Sequence, residues 1–209
     1  MRPLCLFILT AAAGVAQPFG VGIKGGVPMT DFLNAARSQT FSFSANTNRY
    51  VIGPAAELRL PFGLGIELDA LYRHYSYTGG GVAGVALNIV TTGGAWEFPL
   101  LAKYRFKAPI ARPFVEAGVA WDKLSGLTQD VTRTVGSVIN RSSTSTPAEL
   151  HKDVTRGFVI GGGLDVKLLL IHVSPEIRYT HWGSQHFIDP NGLLHSNQNQ
   201  GEFLVGITF

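Results

Sequence analysis

Gly201-Glu202-Phe203-Leu204-Val205-Gly206-Ile207-Thr208-Phe209 is the stretch that decides the fold. Phe203, Val205, Ile207 and Phe209 alternate, while Glu202, Leu204, Gly206 and Thr208 fill the positions between them. Side chains two apart in a strand share a face. The segment therefore reads as a β-strand with one uniformly apolar face and an aromatic ring at its last position. Its other face mixes small, apolar and ionic groups. Such a strand needs a hydrocarbon environment on one side and polar partners on the other.

Seven segments upstream repeat the pattern. They run from Phe19 to Val27, about Tyr50 to Leu60, Leu64 to Tyr77, Trp96 to Phe106, Arg112 to Lys123, Arg156 to Leu168 and Ile171 to Trp182. The fourth is the clearest: Trp96, Phe98, Leu100, Ala102, Tyr104 and Phe106 share one face, with Glu97, Lys103 and Arg105 on the other. Connections alternate in length. Pro61-Phe62-Gly63, Lys107 to Ala111 and Leu169-Leu170 are short; Pro28 to Arg49, Thr78 to Ala95, Leu124 to Thr155 and Gly183 to Gln200 are long. Short turns on one side and long loops on the other fit a bacterial transmembrane barrel with an even strand number. The fold class expected is all-β, an eight-stranded antiparallel up-and-down transmembrane β-barrel. A ten-stranded alternative would draw on Gln129 to Ile139. That stretch is expected instead to extend strands five and six above the membrane. Pro99 and Pro175 fall in mid-strand, where bulges or locally broken pairing are expected. The Leu168 to Ile171 connection lacks turn residues.

Tyr72, Trp96, Trp121 and Tyr179 fall toward one end of their strands, and Phe19, Tyr104, Phe106 and Phe209 toward the other. Two such belts match the preference of aromatic rings for membrane interfaces. A water-soluble barrel of lipocalin type would turn its apolar face inward, and would not place acids and bases on the opposite face of nearly every strand.

Residues 1–16 read as a secretory signal peptide, cleaved before Gln17, followed by a barrel domain over 17–209. Arg2 supplies the positive head, Leu4 to Ala13 the apolar stretch and Gly14-Val15-Ala16 the small residues. The apolar run is too short to span a bilayer. Cys5 is the sole cysteine, so the mature chain is expected to hold no disulfide. Seventeen basic and 14 acidic residues give +3; losing Arg2 leaves 16 against 14, about +2, too near neutral for a nucleic-acid footprint.

The face opposite the apolar stripe carries nine acids, Glu57, Glu67, Asp69, Glu97, Glu116, Asp122, Asp165, Glu176 and Glu202. Seven bases accompany them: Lys24, Arg59, Arg73, Lys103, Arg105, Lys167 and Arg178. An eight-stranded barrel is only wide enough for its side chains to fill it. Isolated charges there would be costly, but interleaved pairs can be accommodated. The expectation is a lumen charge network that plugs the barrel, with an ion path as the lesser alternative. Gly161, Gly163 and Gly206 face inward and leave room.

These features resemble the small outer-membrane β-barrel family grouped with opacity-type and outer-membrane-protein-A-like barrels. The resemblance covers roughly Phe19 to Phe209. It rests on the leader, Trp96-Glu97-Phe98-Pro99-Leu100-Leu101-Ala102-Lys103-Tyr104-Arg105-Phe106, Ser174-Pro175-Glu176-Ile177-Arg178-Tyr179 and the Phe-ended strand. It implies the outer membrane of a Gram-negative-type bacterium as location, with outer-membrane lipid and lipopolysaccharide as surroundings. It also implies the barrel assembly machinery as a partner, reading Phe203, Val205, Ile207 and Phe209 as its signal. An extracellular ligand would be met through the long loops, of which Asn140 to Thr146 is the most polar.

The sharpest enzymatic alternative is a lipid A deacylase barrel, which uses a His-x-Ser-Asn arrangement. His181 with Ser184 and Gln185, and His195-Ser196-Asn197 with Glu202, are loose echoes. Their spacings do not put nucleophile and base on one face of a strand. His172, His181, His186 and His195 are irregularly spaced and read as solvated histidines rather than metal ligands. Gly79-Gly80-Gly81 precedes no helical pattern, so it is not a phosphate-binding loop. No catalytic residue, cofactor or metal is expected. The chain reads as a monomeric or weakly associating, non-enzymatic barrel.

Overall fold

The computed structural model describes residues 18–38, 41–47, 49–82, 86–168 and 170–209. The expected leader and its cleavage point lie outside the described residues. The strands in chain order are β1 (Phe19–Pro28), β2 (Leu33–Ala35), β3 (Phe41–Thr47), β4 (Val51–Arg59), β5 (Leu64–Asp69), β6 (Leu71–Val82) and β7 (Ala86–Arg105). They continue with β8 (Ala111–Val135), β9 (Val138–Thr144), β10 (Val154–Leu168), β11 (Ile171–Trp182), β12 (Leu194–Ser196) and β13 (Asn199–Thr208). A 3₁₀ turn, Pro61–Gly63, joins β4 to β5.

Antiparallel pairing runs from β1 to β4, on to β5 and β6, then β7, β8, β10, β11 and β13, and from β13 back to β1. The ring is closed, which removes every strand edge from the hydrocarbon, as a membrane requires. β5 and β6 are two halves of one spanning strand, so the barrel has eight strands. The break falls at Ala70. Register is the same on both sides of it, with Ala55↔Asp69 and Ile52↔Tyr72 against β4, and Leu68↔Leu100 and Leu71↔Glu97 against β7. That register sets Pro54 and Pro99 on either side of the break, and proline has no N–H to give a ladder. Ala70 N still donates to Pro54 O at 3.0 Å.

Pro175 acts the same way: pairing with β10 lapses between Gly163↔Glu176 and Val166↔Val173 without a change of register. The mid-strand prolines thus interrupt pairing and create no bulge. The bulge lies elsewhere, where Thr92↔Thr128 gives way to Gly94↔Ser125. There β8 carries one extra residue, and Gly126, at φ +60, takes the left-handed backbone that a bulge of this kind favours.

The apolar stripes face out. Phe158, Ile23, Ile177, Val115 and Phe203 are among the exposed large side chains of the wall, and Trp96, Trp121 and Tyr179 stand at its outer end. The alternate residues of the same strands are buried, ionic groups included.

The long connections hold more strand than the sequence suggests. The described residues from Thr78 to Ala95 are strand: β6 and β7 stay paired out to Val82↔Ala86. β8 does extend beyond the membrane, but strand six does not. Residues 138–144 instead turn back at Gly136 as β9, paired only with β8. Asn140 to Thr144 is therefore strand, with exposed polar side chains. β3 lies against β6, and β2 pairs with β12 in a small separate sheet. The pairing of β10 with β11 runs down to Leu168↔Ile171.

Candidate functional site

The inward charges form three stacked groups. The central one draws Lys24 from β1, Glu67 and Asp69 from β5, Lys103 from β7, Glu116 from β8, and Glu176 and Arg178 from β11. Arg178, fully buried, reaches Glu176 at 2.7 Å, Asp69 at 3.0 Å, and Glu67 and Glu116 at 3.2 Å each. Lys24 Nζ lies 2.8 Å from Glu176 and 3.2 Å from Asp69 and also donates to Glu67. Lys103 Nζ lies 2.6 Å from Glu67 and 3.2 Å from Glu116, and sits 4.1 Å from the centre of the Phe114 ring. Burial of so many charges is tolerable because each finds several counter-charges and hydrogen bonds at once.

Toward the outside, Arg73 pairs with Glu97, approaches Glu202 at 3.5 Å and Asp122 at 3.7 Å, and donates to Gln200 at 2.7 Å. Toward the periplasm, Arg105 pairs with Glu57 and donates to Asp165 at 2.7 Å. Arg59, partly exposed, lies 3.4 Å from Glu57 and donates to Thr208 at 3.0 Å. Lys167 departs from the expected set. It is exposed near the turn into β11 and makes no ion pair among the described residues, because the strand there has left the filled part of the lumen. Six bases thus face nine acids.

Two histidines also approach the inward acids. His172 Nδ1 is 2.7 Å from Asp165. His186 is buried rather than solvated: Nδ1 meets Lys152 O at 2.7 Å and Nε2 stands 3.3 Å from Asp122. His186 lies outside any alternating strand, so its place could not be read from period.

Two of the three inward glycines leave no room for a side chain. A Cβ on Gly161 would stand 2.7 Å from Glu116 Oε1, one on Gly163 2.8 Å from Phe114, and one on Gly206 3.4 Å from Lys24 Cε. Neighbours fill the space at Gly161 and Gly163, while at Gly206 a Cβ would make an ordinary contact. Glu67, Glu116 and Glu176 bring oxygens within 4.8 Å of one another, a spacing that could hold a metal ion. Lys24, Lys103 and Arg178 reach into that group, so its cations are the protein's own.

Above the outer group lies an apolar cap. Tyr75 and Tyr77 continue the inward face of Arg73, and Phe187 packs edge-on against both, with ring centres 5.7 and 5.6 Å away. Phe32, Leu33, Phe43 and Leu194 complete the cluster. Phe32 also covers the Arg73 guanidinium at 5.3 Å, joining cap to column.

The serines of the ester-cleaving alternative are placed otherwise. Ser196 is buried, and its Oγ accepts from the backbone N–H of His186 at 2.7 Å and of Phe187 at 3.1 Å, which holds the cap loop. His195 Nε2 faces Asn34 at 3.4 Å, and His181 Nδ1 faces Asn199 at 2.8 Å. Neither histidine is hydrogen-bonded to a serine among the described residues.

No curated protein sequence matches the chain significantly. Among solved structures, the outer membrane protein OprG from Pseudomonas aeruginosa shares the fold with a TM-score of 0.57 at 12% identity, over 91% of this chain and 93% of that one. Neisserial surface protein A aligns over 91% of this chain and 96% of its own, at 13% identity and a TM-score of 0.43. The family model described as "Outer membrane protein beta-barrel domain" matches residues 15–183. A closed eight-stranded barrel, greasy outside and ionic within, that matches this family over most of its length belongs to it: the chain is a member of the outer membrane protein beta-barrel domain family, resident in the outer membrane of a Gram-negative bacterium.

Proposed function

We propose that this barrel is a non-enzymatic, non-conducting anchor that contributes to envelope structure and holds its outer hairpins at the cell surface. One observation carries this reading: the lumen is filled from the Arg105 level to the Phe187 cluster, and only its periplasmic mouth opens into a cavity, beside Arg59 and His172. Arg105, Arg178 and Arg73 each bridge carboxylates from different strands at successive levels, and the Phe187 cluster covers the outer end. Moving an ion through would require breaking several buried pairs at each level, which costs several kcal/mol apiece. The β6–β7 and β8–β9 hairpins project beyond the aromatic belt and suit contact with an extracellular partner.

Planar-bilayer recording of the refolded protein tests the closed lumen. No steady conductance is expected; a stable open level would favour a channel instead. The enzymatic reading is tested by substituting Ser184 and Ser196 with Ala and measuring lipid A by mass spectrometry. A deacylated species that disappears in the variant would overturn the proposal.

A further inference from the structure

The outer wall of β8, β10 and β11 is apolar except at one spot. Outward positions on β8 are Val115, Ala117, Val119, Trp121 and Lys123; on β10 they are Val154, Arg156, Phe158, Ile160 and Leu164. Those on β11 below Gly183 are Ile177, Tyr179 and His181. Lys123 and Arg156 are the charged members, and both sit at the outer end. Register makes them diagonal neighbours, since Arg156 lies opposite Trp121 and Val154 opposite Lys123. Diagonal partners on one face stand about 7–8 Å apart, within reach of one polyatomic anion. Among the described residues neither has an ion-pair partner, whereas the inward bases Lys24, Arg73, Lys103, Arg105 and Arg178 each meet two or more carboxylates.

A groove of about 370 Å³ opens beside them. Its origin is readable from the pairing. Trp121, Arg156 and Gly183 form one row across three strands, with Gly183 N donating to Arg156 O at 2.8 Å. Val119, Phe158 and His181 form the row beneath. Gly183 has no side chain, so the third place in the upper row is empty and the rings of Trp121 and Phe158 wall a trough. Its size is within the range of small-ligand pockets. It opens sideways, at the level where outer-leaflet headgroups meet acyl chains.

We propose that this groove is a binding site for one phosphorylated lipid of the surrounding outer leaflet. Lys123 and Arg156 would hold a headgroup phosphate, and an acyl chain would lie against Trp121 and Phe158. The occupant is set by charge and polarity together. A free phosphate has no use for the apolar trough, and an uncharged lipid has none for the two unpaired cations.

The test uses the full refolded chain in detergent and native mass spectrometry, with diphosphorylated lipid A as probe. Dephosphorylated lipid A of the same acyl pattern and inorganic phosphate are the comparisons. Wild type is expected to retain one phosphorylated lipid A. The double variant K123Q/R156Q should bind it roughly 30-fold more weakly, the product of about fivefold for each cation near an anionic membrane surface. The charge-keeping K123R/R156K should bind as wild type. Gly183→Leu, which fills the trough and keeps both charges, should also weaken binding; its Cβ would stand 3.3 Å from Arg156 O, so the backbone there must give by a few tenths of an ångström. Heat-modifiable migration verifies that each variant has folded. Equal retention by K123Q/R156Q, equal retention of the dephosphorylated lipid, no lipid retained by wild type, or displacement by millimolar inorganic phosphate alone would each overturn the proposal.

Discussion

Arg178→Met is the substitution that most directly probes the central charge group. The guanidinium touches Glu67, Asp69, Glu116 and Glu176 at 2.7 to 3.2 Å, and all four carboxylates are buried. Methionine fills much of the volume but leaves those acids with Lys24 and Lys103 alone. The group goes from three bases against four acids to two against four, a formal change from −1 to −2. Breaking a buried pair by deleting one partner costs about 3–5 kcal/mol, because the uncompensated charge remains behind. With a urea slope of about 2 kcal/mol/M, the unfolding midpoint should fall by about 2 M. The assay is urea titration of the barrel folded in lipid vesicles, read by tryptophan fluorescence and heat-modifiable migration. Adding Glu176→Gln to the variant returns the group to −1 and should recover at least about 1 kcal/mol, a coupling that neighbours in one network show. A midpoint shift below about 0.5 M, or no recovery in the double variant, would refute the view that Arg178 neutralises a shared buried charge.

Val205→Arg puts a cation on the lipid face of the closing strand and should destabilise the barrel by about 2–4 kcal/mol in vesicle unfolding, whereas a peripheral position such as Val154 should tolerate it. Gly161→Val forces a side chain into the space Glu116 occupies, 2.7 Å from Oε1, and should cost about 1–3 kcal/mol in the same titration. Ser196→Ala removes the acceptor for two buried N–H groups and should loosen the cap by about 1–3 kcal/mol. Limited proteolysis around residues 183–198 should then speed up while the barrel's unfolding midpoint stays where it was.

Period-two alternation carried the reading of the wall, because lipid imposes one rule on every outward position from Phe19 to Phe209. It placed Trp96, Phe98 and Leu100 outside and Glu97 and Lys103 inside without any knowledge of partners. The same rule lost its force above the membrane. Beyond the membrane β6 to β9 no longer face lipid, so Gly79-Gly80-Gly81 and Asn140 to Thr144 offered composition typical of loops although they are strand. Which acid meets which base was also hidden. Arg178 joins residues more than a hundred positions apart, Glu67 and Asp69 among them, and only the register of the closed ring decides that. Lys167 shares the parity of the inward charges but sits too close to the turn to enter the packed interior. His186 and Phe32 reach the column from loops, where no periodic rule applies. The gap at Ala70 was half readable: a missing donor was evident at Pro99, but not that its register partner Asp69 adjoins Ala70, which Pro54 faces from the other side.

The pairing of β1 with β13, Gly22↔Thr208 through Pro28↔Glu202, brings together the two most distant strands of the described chain. A sheet built up to β11 would expose two rows of unmet backbone donors and acceptors, which hydrocarbon penalises at every residue. Partial cylinders therefore have no stable resting place in the bilayer. Insertion should be all-or-none, waiting on synthesis of the final strand and limited by the long search for its first-strand neighbour. A ribosome that stalls short of Gly201 would leave a chain fit only for degradation, however much of the wall it had already encoded.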